Sequence, residues 1–135
     1  MSDPTEQVHQ AMPLTATLGI RVDRFTPDEV VLRLDWAPGL CTSGGILHGG
    51  TIMALADSAG GGCAFLNLPE GAVGTSTIDS STHFLGAVTG GTVTATATAT
   101  PLHRGRTTVV VETSVRDEGG RLVARTTQAQ LVLRA

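Results

Sequence analysis

Aromatic residues are nearly missing from this chain: among 135 residues there is no Tyr, one Trp and three Phe. Without aromatic platforms, binding of single-stranded nucleic acid by base stacking is excluded, and any core must be aliphatic. Positive charge is also short. Lys plus Arg total 9 against 12 Asp plus Glu, for a net charge of -3, which leaves no basic footprint for a phosphate backbone. No apolar run approaches the roughly 20 residues of a bilayer span. Residues 1–10 are polar and lack the apolar core of a secretory leader. The expectations are no nucleic-acid partner, no membrane partner and a cytoplasmic location.

Cysteine is as sparse. Cys41 and Cys63 show no CxxC spacing, so two reduced thiols are expected. Cys63 falls on an apolar helical stripe and reads as packing, whereas Cys41 sits in a loop with no His motif beside it. Asp79 and His83 have no third ligand at a suitable spacing, which argues against a metal site. Ser58 is not framed by the G-x-S-x-G of a nucleophile elbow.

The chain is 41% hydrophobic and 16% charged, and its length suits one domain over residues 1–135. Residues 1–17 form an N-terminal lead-in, with a short helix predicted over 5–18 on a weak apolar face of Val8, Met12, Leu14 and Leu18. Strands are predicted over 20–25 and 29–34 around the turn Thr26-Pro27-Asp28. Ala37-Pro38-Gly39 then opens a Gly-rich loop that runs to Gly45.

Residues 48–66 carry the one long helical pattern, with Ile52, Leu55, Ala56, Ala59, Cys63 and Leu66 on one stripe. Gly60-Gly61-Gly62 lies inside it. Each mid-helix Gly costs about 0.5–1 kcal/mol relative to Ala, so the run points to another backbone packed very close. From residue 72 onward the chain alternates as strands. The predicted spans are 75–85, 92–100, 107–116 and 122–134, the last two joined at Asp117-Glu118-Gly119-Gly120. One long helix and a mostly antiparallel set of strands with one packed face make an α+β layer.

The richest segment is Gly45-Ile46-Leu47-His48-Gly49-Gly50, followed by Leu55-Ala56-Asp57. It sets a His-Gly-Gly turn at a helix mouth, where N–H groups are unpaired and the helix dipole is positive. Gly49 lets its backbone approach a substrate closely, although Gly-Gly also suits a plain tight turn. Asp57 is a candidate base or nucleophile. His48 and Asp57 lie nine residues apart, about 13 Å along a helix axis and on opposite sides of it. His48 falls near the apolar stripe; Asp57 faces away, among Met53, Gly60, Gly61 and Ala64. Either Asp57 is a solvated acid unrelated to His48, or a second copy of the helix supplies the missing group in a two-fold dimer.

At these residues the chain resembles the hotdog-fold acyl-CoA thioesterases, specifically the phenylacetate-pathway (PaaI-type) branch and its 4-hydroxybenzoyl-CoA thioesterase-like relatives. The motif G-x-x-H-G-G followed by Leu-Ala-acid carries the resemblance. Weaker matches come from Thr77-Ile78-Asp79-Ser80-Ser81-Thr82-His83-Phe84-Leu85, Gly105-Arg106-Thr107 and Gly120-Arg121-Leu122-Val123-Ala124. The resemblance implies a bent antiparallel sheet wrapped round one long central helix. It further implies homodimers paired into dimers of dimers, and hydrolysis of acyl-CoA or aryl-CoA at the dimer interface without a separate cofactor, coenzyme A being part of the substrate.

Carried over by residue, the resemblance has the Gly49 N–H polarise the thioester carbonyl and Asp57 act as nucleophile or base. It has His48 orient or polarise the thioester, and Thr77 position water or the carboxylate. Thr42 stands where relatives often have Asn or Gln. Gly50, Gly61 and His83 join it as candidate substrate contacts, and His83 and Asp79 are expected on the strand face of Thr77. His103, Arg104 and Arg106 form the compact basic group that could hold CoA phosphates. Two other readings keep the fold: a noncatalytic acyl-CoA binding module, and an acyl-thioester dehydratase or hydratase.

Overall fold

Pro13 divides the N-terminal segment. The computed structural model describes residues 3–135, with residues 99–101 described by their backbone alone. It has two short helices, α1 (Pro4–Ala11) and α2 (Pro13–Thr17), where one was expected. Pro lacks an N–H and biases the residue before it away from helical geometry; Met12 accordingly stands at φ -130°, ψ 84°. The segment is pinned to the first strand by His9 Nε2, 2.6 Å from the Ile20 carbonyl, and by the Val22 N–H donating to Thr5 Oγ1 at 3.0 Å.

Six strands come after it: β1 (Arg21–Phe25), β2 (Val30–Asp35), β3 (Ala72–Phe84), β4 (Thr92–Arg104), β5 (Thr108–Arg116) and β6 (Leu122–Arg134). They form one antiparallel sheet in the order β1-β2-β4-β5-β6-β3, so β1 and β3 are its edges. The long helix α3 (Gly49–Leu66) packs against every strand from β2 to β6. Such contact requires the sheet to curl round the helix, the architecture that the sequence led us to expect.

The core lies between them. Ile52, Leu55, Ala56, Ala59 and Cys63 of α3 are buried against Leu32 and Leu34 of β2, Val93, Ala95 and Ala97 of β4, and Val109, Val111 and Val115 of β5. The strict Thr/Ala alternation of β4 has a packing reason. Its Ala face turns inward, and small side chains let the helix sit close to the sheet. β4 runs past the expected end at residue 100, through a register shift between Thr98 and His103.

Helix α3 continues unbroken through its three glycines, and they are not equivalent. A methyl at Gly60 would overlap the amide of Gln128, and one at Gly62 would stand 2.7 Å from the Phe25 ring, whereas at Gly61 it would meet nothing within 4 Å. The close approach expected here is thus made by side chains, not by another backbone.

One register detail reorders the predicted site. β3 pairs with β6, with Thr77 opposite Gln130 and Asp79 opposite Ala129, so Ile78 is an extra residue at a bulge. A bulge reverses the side-chain parity of the residues beyond it. Thr77 shares the inner face with buried Gln130. Past the bulge Thr82 is inward, its Oγ1 2.8 Å from that of buried Thr126. Asp79 and His83 therefore lie on the outer face, His83 opposite Arg125, which pairs with Glu112. The expectation that His83 and Asp79 share a face with Thr77 is corrected.

Candidate active site

The helix mouth is built by a clamped loop. Gly44 and Gly45 take φ of 80° and 71°, a region open to Gly and costly for other residues. The turn is held by the Trp36 indole donating to the Gly45 carbonyl at 2.9 Å and by Thr42 N–H donating to the Ile46 carbonyl at 2.8 Å. The Leu40 carbonyl accepts from both His48 N–H and Thr51 Oγ1, each at 3.0 Å.

His48 is the N-cap of α3, not a helical residue. Its φ is -62° and ψ 138°, and its side chain folds back so that Nδ1 accepts from the Gly50 N–H at 3.1 Å. A helical wheel therefore does not apply to it, and the ring is exposed rather than aligned with the apolar stripe. Because a backbone N–H can only donate, Nδ1 carries no proton and Nε2 carries it in the neutral ring. Gly50 is thereby used in capping. The Gly49 N–H, at the first helical position, has no hydrogen-bond partner among the described residues. The Phe84 ring of β3 leans over it, 3.2 Å from where a Cβ would be.

Asp57 is exposed, yet it is gripped from the sheet side. Its Oδ1 accepts from Gln128 Nε2 at 3.2 Å and, at a long 3.5 Å, from Thr77 Oγ1. Thr77 Oγ1 in turn accepts from Gln130 Nε2 at 2.6 Å, and Gln130 Oε1 accepts from Thr75 Oγ1 at 3.1 Å. Both glutamines are 1% exposed. Oδ2 of Asp57 has no partner among the described residues. The flank around Asp57 is also mixed where an outward face was expected: Met53 is exposed and Gly61 half-buried, but Gly60 and Ala64 are buried. The sheet curls far enough for β6 and β3 to cover that flank.

Within the chain, then, Asp57 and Thr77 meet, and His48, Gly49 and Gly50 meet. The two groups do not. Gly49 and Asp57 are eight residues apart on α3, about 12 Å along its axis. Thr42 is exposed in the loop at the helix mouth and makes no side-chain hydrogen bond to either group. Arg104 Nη1 donates to Asn67 Oδ1 at 2.9 Å, at the opposite end of α3, while the Arg106 carbonyl accepts from Arg134. His83 is on the outer sheet face.

Further along α3 from Asp57, a groove of about 710 Å³ runs between α1, β1, α3 and β3. Gly61 and Phe65, one and two turns beyond Asp57 on the same helix face, form one wall, with Val8, Met12, Val22 and Phe25 opposite. Its lining is mostly apolar and includes Thr75, which donates to Gln130 Oε1.

Gln128 and Gln130 were missed in the sequence, although a signal existed. From Ala124 onward the buried residues of β6 are Ala124, Thr126, Gln128, Gln130 and Val132, so two amides occupy the phase of the core. Polar groups in that phase conflict with the local pattern and mark functional or strained positions. Gln128 Oε1 is buried with no hydrogen-bond partner among the described residues, a state that costs about 1–3 kcal/mol.

Comparison with known proteins identifies the family and the fold. The family model of the thioesterase superfamily matches residues 44–124, a stretch from the Gly-rich loop through α3 into β6. The chain is 30% identical over 125 residues to the Mycobacterium tuberculosis protein named "Putative esterase Rv1847", covering 91% of this chain and 88% of that protein. The solved structure of this esterase (Rv1847/MT1895) superposes with a TM-score of 0.86 over 92% of this chain and 98% of that one. AziG of S. sahachiroi is 33% identical with a TM-score of 0.84, over 91% and 98% of the two chains. Thioesterase HI1161 of Haemophilus influenzae is 27% identical with a TM-score of 0.87, over 99% and 93%. With a curled antiparallel sheet round a single long helix and the family motif at that helix's mouth, the chain has the hotdog fold and belongs to the thioesterase superfamily.

Proposed function

We propose that this protein is an acyl-CoA thioesterase of the PaaI-type branch, hydrolysing a thioester to a free carboxylic acid and coenzyme A. The observation that carries the reading is Asp57: one carboxylate oxygen is held by Gln128 and Thr77, and the other has no partner among the described residues. Water adds to the acyl carbon and the C–S bond breaks, with the proton passing to the leaving thiolate. Asp57 serves either as base toward that water or as the nucleophile that forms an anhydride first. The oxyanion is met by the Gly49 N–H and by the positive end of α3, and a donor so placed is worth about 2.7–4 kcal/mol. His48, with its proton on Nε2, donates toward the same carbonyl.

The site is composite in this reading. A two-fold dimer brings the His48-Gly49 mouth of one chain to Asp57 of the other, and two such dimers pair. The exposed edge strand β3, with Ile78 and Phe84 in contact with solvent and exposed Leu85 just beyond its end, supports an isologous interface there. The apolar groove takes the acyl or aryl group, and Arg104 and Arg106 hold CoA phosphates. The cytoplasm is the proposed location. Thiol release across an acyl-CoA panel tests the reading: wild type turns over at least one member, and Asp57→Ala abolishes turnover with an unchanged circular dichroism spectrum. Activity retained in Asp57→Ala would overturn it.

A further inference from the structure

We propose that Gln128 is a positioning residue, an amide clamp seated on Gly60 that sets the rotamer of Asp57 and leaves Oδ2 free to react. The inference rests on the thioesterase reading for its kinetic consequence, but the clamp itself stands on geometry. A carboxylate accepts hydrogen bonds and donates none when ionised, so the end of the Gln128 amide that faces Asp57 Oδ1 at 3.2 Å must be the NH2 group. The carbonyl end then points at α3, where it has no partner among the described residues. It fits there because position 60 has no side chain, and a methyl would overlap Oε1.

This explains a glycine that helix propensity disfavours and an amide that burial disfavours, by one arrangement. A core built for stability alone would carry Ala at 60 and an aliphatic residue at 128. Gln130 extends the same logic by holding Thr77, the second donor on Oδ1. Both donors come from the sheet, Gln128 on β6 and Thr77 on β3, and neither occupies Oδ2.

The clamp has a signature that a purely structural residue lacks. Gln128→Leu removes the orphan oxygen, so its melting temperature equals or exceeds that of wild type. Its kcat falls about 10- to 100-fold through misplacement of Asp57, while KM moves less than about twofold. Gly60→Ala displaces the amide and mimics that kinetic loss. In Gly60→Ala/Gln128→Ala the overlap is gone, so the double variant is no slower than Gln128→Ala alone.

A second measurement needs no turnover. In wild type, the side-chain NH2 signals of Gln128 in a 15N–1H spectrum are protected from solvent exchange, and they shift in Asp57→Asn. Free exchange of that amide, signals indifferent to Asp57→Asn, or a folded Gln128→Leu with wild-type kcat each overturn the clamp. If no acyl-CoA is hydrolysed but the amide is protected and coupled to position 57, the thioesterase reading fails and the clamp stands.

Discussion

Thr77 occupies a position where one hydroxyl serves two neighbours. It accepts from Gln130 and donates to Asp57, so Thr77→Val deletes the donor to the carboxylate and strands a buried amide. We expect a loss of about 1–3 kcal/mol in stability together with lower kcat, read by denaturant unfolding and steady-state kinetics on the same samples. Thr77→Ser retains both roles and should recover most of each. His48 is a second residue whose role depends on local geometry. Its capping bond assigns the ring proton of the neutral imidazole to Nε2. From the sequence, Asp57, Thr77 and His48 were legible as candidates through the family motif. The amides behind Asp57 and Thr77 were not, because Gln in a strand carries no chemistry of its own until the register turns it inward.

Helix α3 is the element on which both halves of the site are mounted. Its first position is unusually suited to a clean test. His48 already has the extended φ and ψ favoured before a proline, and proline is accepted at the first position of a helix. Gly49→Pro therefore removes the N–H with little disturbance to the helix, while Gly49→Ala retains the N–H and imposes a similar approach to Phe84. We expect kcat of Gly49→Pro to fall about 100- to 1,000-fold, with Gly49→Ala much less affected. Comparable losses in the two would assign the role of Gly49 to packing against Phe84.

The glycine run in the same helix separates by neighbour. Gly61→Ala meets nothing within 4 Å and should stabilise by about 0.5–1 kcal/mol. Gly62→Ala presses on the Phe25 ring and should destabilise by about 1–3 kcal/mol. Thermal melts of the two variants would differ in sign. The sequence showed that three glycines in a helix need a reason; only the fold distinguishes their reasons.

At the scale of the whole molecule, the distance along α3 between Gly49 and Asp57 makes the proposed site a property of two chains. Complementation tests this directly. Asp57→Ala and Gly49→Pro, each inactive alone, form a mixed dimer in which one of two sites has both wild-type groups. Random reassembly then restores about a quarter of wild-type activity, by the arithmetic of a closed two-fold dimer. No recovery, with mixed dimers verified by mass spectrometry, would place the whole site in one chain. Edge strand β3 gives a second handle: a charge at Ile78, which is 57% exposed, should weaken the dimer and the activity together.

The sequence alone determined the fold class, the long helix, the helix-mouth motif and the acid within it. These depend on local periodicity, turn chemistry and a short contiguous motif, all of which act over a few residues. It also determined the separation between the motif's two ends, since helical rise is a constant. Only the tertiary structure decided which side of a strand each residue faces, because a single extra residue at Ile78 reverses parity and moves His83 and Asp79 to the outer face. It alone joined Asp57 to Gln128, residues distant in the chain that touch only because the sheet curls round the helix. Nonlocal contacts of that kind arise from strand register and curvature, which no local pattern in the chain encodes.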